Sequence, residues 1–140
     1  MRRDDRGSIT LWSLALCVGV LALGGVTLDF WRAISGWRSL AASADAAAAA
    51  GASGIDEGAY RSSGGSVIQL DPDRAEQLAY DSLATQLDTG DIDSYEVTAT
   101  TETVTVVVEG SVGLTLPQVV MDDGDITMSV TATADPRPSG

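Results

Sequence analysis

The chain has 140 residues and a net charge of −12, and each of its 8 basic residues is Arg. So few cations cannot replace the counterions of a phosphate backbone, which argues against a nucleic-acid partner. With no His and a single cysteine, Cys17, the chain cannot build a Ser–His or Cys–His nucleophile pair, an intrachain disulfide or a His/Cys zinc site.

Residues 1–8, with Arg2, Arg3 and Arg6, read as a short cytoplasmic N-terminus. From Ile9 to Leu28 no residue is charged. At about 1.5 Å per residue this stretch covers the roughly 30 Å hydrocarbon core of a bilayer, and 9–28 is read as a transmembrane helix. Trp12 stands near one end and Phe30, Trp31 and Trp37 beyond the other, the usual interfacial anchors. Two rival readings are weaker. A core helix would need more chain to wrap it, and the nearest signal-peptidase pattern, Ala42-Ser43-Ala44, lies past Asp29, Arg32 and Arg38. Three Arg precede the span, whereas residues 53–140 carry 16 acids and 3 bases, so that part is expected outside the cell membrane. Within the span Ala15, Gly19 and Ala22 form a small-residue stripe where another helix can approach.

The helical pattern continues into an extracytoplasmic extension, 29–52. Phe30, Ile34, Trp37, Ala41, Ala44 and Ala48 recur at alternating spacings of four and three, the seam of a helix that packs on another. Asp29 and Arg32 are placed to pair. One continuous helix from about Ser8 to about Ala50, stopped by Gly51, is the simplest reading.

Residues 53–70 are rich in Gly and Ser and read as a flexible connection. Asp71 as N-cap and Pro72 at the first helical position open a second helix with Ala75, Leu78, Ala79, Ser82, Leu83 and Leu87 on its apolar face, closed by Gly90. The period then falls to two. Tyr95, Val97 and Ala99, then Val104, Val106 and Val108, and finally Ile126, Met128, Val130 and Ala132 alternate with mostly polar residues, which predicts three antiparallel strands packed on the second helix. The apolar connection Leu114, Leu116, Val119, Val120 and Met121, broken by Pro117, separates the last two, and 135–140 is a tail. The fold class is thus α+β, with a long N-terminal helix and a small head at 71–134. Asp88, Asp91, Asp93 and Glu96, and Asp122, Asp123 and Asp125, lack the spacing of a calcium loop and are read as solvated turns. No catalytic, metal or cofactor residues and no small-molecule substrate are evident.

Arg6-Gly7-Ser8-Ile9-Thr10 opens the apolar span, Gly25-Val26-Thr27-Leu28-Asp29-Phe30-Trp31-Arg32 closes it, and Ala44-Asp45-Ala46-Ala47-Ala48-Ala49-Ala50-Gly51-Ala52 follows. In order and spacing this set resembles the N-terminal signature of TadE/TadG-like Flp pilus-assembly proteins, with Gly7, Asp29, Arg32 and Asp45 at the motif positions. The resemblance implies a non-enzymatic minor pilin or pseudopilin-like subunit of a Tad-type pilus or secretion machine. Its implied partners are the lipid bilayer, other pilin-like subunits and platform proteins. Members cut by prepilin peptidase carry Glu five residues after the cleavage-site Gly. Trp12 holds that position here, so the chain is expected to stay uncut. The alternative is a single-span extracytoplasmic binding or sensing module.

Overall fold

The computed structural model of the chain describes residues 6–86, 92–114 and 125–136. Helix α1, Arg6–Gly51, is one uninterrupted rod of 46 residues. Leu and Ala dominate it, Pro is absent, and its glycines are spaced singly or in one pair, so propensity carries through. The Thr27 hydroxyl donates to the Leu23 carbonyl at 2.9 Å and is satisfied within the helix. The rod stops at the expected glycine: the Gly54 N–H turns back to the Gly51 carbonyl at 2.9 Å.

The connection that follows is structured, which corrects the expectation of a flexible segment over 53–70. It holds helix α2, Glu57–Ser62, capped by the Asp56 carboxylate, which accepts from the Gly58 and Ala59 amides at 2.9 and 3.0 Å. Bonds from the Ala59 amide, the Gln69 side chain and the Gly58 amide hold the Asp56 carboxyl below its ordinary value against an opposing desolvation. Gly64 and Gly65, at φ 64° and 84°, reverse the chain after α2, a conformation that a side chain would strain. The base of the excursion is closed by Asp56 N–H to Gln69 O and Asp71 N–H to Gly54 O, both 2.9 Å, around the Ile55–Leu70 bridge. Gly and Ser here mark turns rather than slack.

Helix α3, Pro72–Ala84, begins as expected, with the Asp71 carboxylate accepting from the Arg74 amide at 3.3 Å and Ala75, Ala79 and Leu83 buried. It ends earlier than Gly90: Thr85 donates its hydroxyl to the Ser82 carbonyl at 2.8 Å, and the Gln86 amide bonds the Leu83 carbonyl, also at 2.8 Å. Leu87 and Gly90 lie outside the described residues, as do most of the apolar connection and Asp122-Asp123-Gly124.

Strands β1 (Ser94–Ala99), β2 (Val104–Gly113) and β3 (Asp125–Ala134) form an antiparallel sheet in the order β1-β2-β3. Val97 pairs with Val106, which pairs in turn with Ala132. These three face inward with Val104 and Val108, while Thr98, Thr131 and Thr133 face solvent. The expected alternation holds through the middle of the sheet, while Tyr95 and Ile126, near the strand ends, are exposed.

The sheet's packing partner differs from the sequence expectation. β2 and β3 lie on α1, whereas α3 sits beside α1 beneath β1. There the Glu76 carboxylate accepts from the Ala99 amide at 3.2 Å, and the Tyr80 and Tyr95 rings meet edge to face at 5.8 Å. The physical reason is the face α1 offers. Gly36, Leu40, Ser43, Ala44, Ala47, Ala48 and Gly51 form a mostly small-residue stripe that lets a sheet approach a helix closely. The resulting core joins Leu40, Ala44, Ala47 and Ala48 to Leu70, Leu83 and the β2 valines.

The closeness has a measurable consequence. A Cβ at Gly54 would sit 2.9 Å from both the N and the Cα of Ala75, backbone atoms that cannot swing away. Gly54→Ala is expected to destabilise the chain by about 1–3 kcal/mol. Gly19→Ala, where a Cβ meets nothing within 4 Å, leaves the head unaffected. Thermal unfolding of the full chain in detergent, followed by the near-ultraviolet signal of Tyr80 and Tyr95, compares the two.

Candidate functional site

The candidate surface is α1 itself, which the fold divides into two lengths. From Ile9 to Leu28 the large apolar side chains of the helix all face outward, with Trp12 74% exposed. This is the one helix among the described residues long and apolar enough to cross a membrane. Ala15, Gly19 and Ala22 lie on this bare length, and no other part of the described chain reaches Gly19. Gly7 stands in the first turn.

Above Leu28 the head closes over one side of the helix. β2 runs against α1 with Val112 at Gly36 and Val104 at Gly51, and below Gly36 the same side of the helix stays shielded at half-buried Ala33 and at buried Asp29. This divides the predicted seam. Ala44 and Ala48 are buried in the protein's own core and Ile34 and Ala41 are half-buried, whereas Phe30 remains 67% and Trp37 52% exposed. The seam was drawn through the bulkiest side chains. The face that meets the sheet lies beside it, at Gly36, Leu40, Ala47 and Gly51, and its only sequence signal is the pair of small-residue positions bracketing an apolar run. Ser43 and Ala44, within the signal-peptidase pattern, are buried inside α1.

The motif residues fall at separate levels. Asp29 is only 6% exposed, and its carboxylate stands 3.9 Å from the Arg32 guanidinium. A shielded charge at the edge of an apolar span is costly unless paired, and Arg32 provides a partner one turn away. Asp45 is exposed, about four turns higher, beside a small cleft shared with Ser53, Thr133 and Asp135 where the end of α1 meets the end of β3. Among the described residues no three His, Cys, Asp or Glu side chains converge as metal ligands, and Asp88, Asp91, Asp122 and Asp123 lie outside those residues.

An α+β head built on the upper length of a single apolar helix defines the class: a chain with one candidate membrane span whose span and core are the same helix. Residues 7–54 match the family model described as Flp pilus-assembly TadE/G-like. The match takes in Gly7, Asp29, Arg32 and Asp45 and covers about a third of the chain. No curated protein and no solved structure matches the chain.

The division of α1 can be tested by substitution. Ala44→Leu puts a large side chain where exposure is 0%, and it is expected to lower stability by about 1–3 kcal/mol or prevent folding. Trp37→Ala, on the open side, should stay within about 0.5 kcal/mol of the parent. Equal losses from the two in thermal melts would contradict the division.

Proposed function

We propose that the chain is a membrane-anchored assembly subunit of a Tad-type pilus or related secretion machine, minor pilin- or pseudopilin-like and without catalytic activity. The observation that carries this reading is the continuity of α1: a bare apolar length that fits a bilayer runs without a break into the core of the head. The family match on residues 7–54 points to a pilus-assembly context. A sensor or binding module needs an anchor and a linker, whereas here the anchor is structural to the head.

In this reading the N-terminus is cytoplasmic and the acidic head extracytoplasmic, supported by Arg2, Arg3 and Arg6 before the span and the scarcity of Arg in the head. The partners are the bilayer, sister pilin-like subunits and the assembly platform. Ala15, Gly19 and Ala22 offer the close-approach face within lipid, where association depends on backbone proximity rather than on hydrophobicity.

Two measurements test the proposal. A cysteine at exposed Ser62, in a Cys17→Ala background, should react in intact cells with a membrane-impermeant thiol reagent. Protection until lysis would reverse the orientation. Gly19→Leu fills open space and leaves the chain's own packing untouched, so it should reduce crosslinking to co-expressed pilus components severalfold while insertion and head stability persist. Unchanged crosslinking would remove the stripe from the assembly surface.

A further inference from the structure

The length of α1 just beyond the bare span carries an unusual set of side chains. Phe30, Trp31, Ile34, Trp37 and Arg38 all lie between Leu28 and Leu40. Phe30, Trp31 and Trp37 are exposed. At about 100° per residue, Trp31 and Arg38 fall on the side of the helix opposite Leu40 and Ala47, half-buried Ile34 lies toward them, and Phe30 and Trp37 stand on one flank, about 80° and 60° from Leu40. Trp31, Ile34, Ser35 and Arg38 line a common recess on that side. The head therefore turns its back on this face, and among the described residues Arg38 has no ion pair.

We infer that this outer face of α1 lies in the phospholipid headgroup layer of the leaflet on the head's side, so that the helix leaves the bilayer at a tilt with the head riding on its upper side. The inference rests on the reading of 9–28 as a membrane span. Its support is geometric and electrostatic. With Ile9 at one edge of a hydrocarbon core about 30 Å thick, an upright helix would hold Trp37 about 12 Å above the other edge, clear of a headgroup layer only about 5–7 Å deep. A tilt of about 30°, inside the 0–40° range of spanning helices, lowers the downward face into that layer. Indole rings favour that layer, and Arg38 beside Trp31 brings a guanidinium to the level of the lipid phosphates. The rest of the head is strongly acidic, with 16 acids and 3 bases over residues 53–140, so this face is the one suited to meet anionic phosphate. A second copy in parallel register would instead set Arg38 at the level of Arg38, cation beside cation.

Depth-resolved fluorescence of the full chain in phosphatidylcholine–phosphatidylglycerol vesicles tests this. Three single-tryptophan variants keep Trp12, Trp31 or Trp37, with Phe at the other two positions. Trp12 is expected to be quenched by lipid brominated on the acyl chain. Trp31 and Trp37 are both expected to be quenched by lipid carrying a headgroup nitroxide and shielded from aqueous acrylamide. Arg38→Glu should reduce headgroup quenching of Trp37 about twofold, leaving Trp12 unchanged. Trp37 open to acrylamide and unquenched by lipid, with Trp12 quenched, overturns the inference and leaves the span intact. Trp37 shielded from acrylamide yet unquenched by lipid means that protein covers the face, and this also overturns it. Trp12 unquenched by acyl-chain bromine removes the span and the inference together.

Discussion

A β-sheet can lie flat on a helix only where the facing side chains are small, and the head of this protein exists because α1 meets that condition from Gly36 to Gly51. The two glycines bracket the contact, with Val112 at one and Val104 at the other. Between them only Leu40 is both large and fully buried; the other contacts come from Ser43, Ala44, Ala47 and Ala48. Close approach then sets the rest. β2 becomes the central strand because it runs along this face, and α3 fits beside α1 through its own small residues, Ala75 and Ala79. The tight turn at Gly54 brings the start of α3 back against the end of α1. Such a core gains its stability from contact density rather than from large apolar volumes, so it tolerates added volume poorly.

Much of this order was legible in the sequence because it is written in local signals. The apolar run, the Asp71-Pro72 start and the period-two alternation of Val104, Val106 and Val108 each report a backbone state directly. What failed to appear was non-local. The seam through Phe30, Ile34 and Trp37 follows bulk, and bulk is a good guide only when a helix is buried by large residues; here the sheet selects the face with the least bulk. The excursion at 53–70 departs from its sequence expectation for a related reason. Its Gly and Ser content is identical in a slack linker and in a closed loop, and the bonds that close it join residues 13 and 17 positions apart, Asp56 with Gln69 and Gly54 with Asp71. Of the motif residues, Asp29 and Arg32 are neighbours as their spacing implies, while Asp45 stands apart from them beside a cleft whose other wall, Thr133 and Asp135, comes from the end of β3 and the residue after it, nearly ninety residues later.

The extent of the family match follows the same physical division. It ends at residue 54, the glycine on which α3 closes, and so comprises α1 and its terminating turn without the sheet. That segment alone combines two kinds of surface, an apolar length suited to a bilayer and a length that packs on a sheet. The sheet and α3 answer to one requirement only, that their inner faces fit a Gly/Ala surface, and many sequences of alternating Val and Thr do so.

The absence of a break in α1 gives the molecule a mechanical character. Between Arg6 and Gly51 there is no proline and no unwound turn, and the last four turns of the rod are locked into the core. Head and anchor therefore share one axis and one azimuth. Torsion applied to the lower length of the helix, or an axial push of a single turn, about 5.4 Å, is passed to the head along a continuous helix, so the head behaves as a lever fixed to a shaft rather than as a float on a tether.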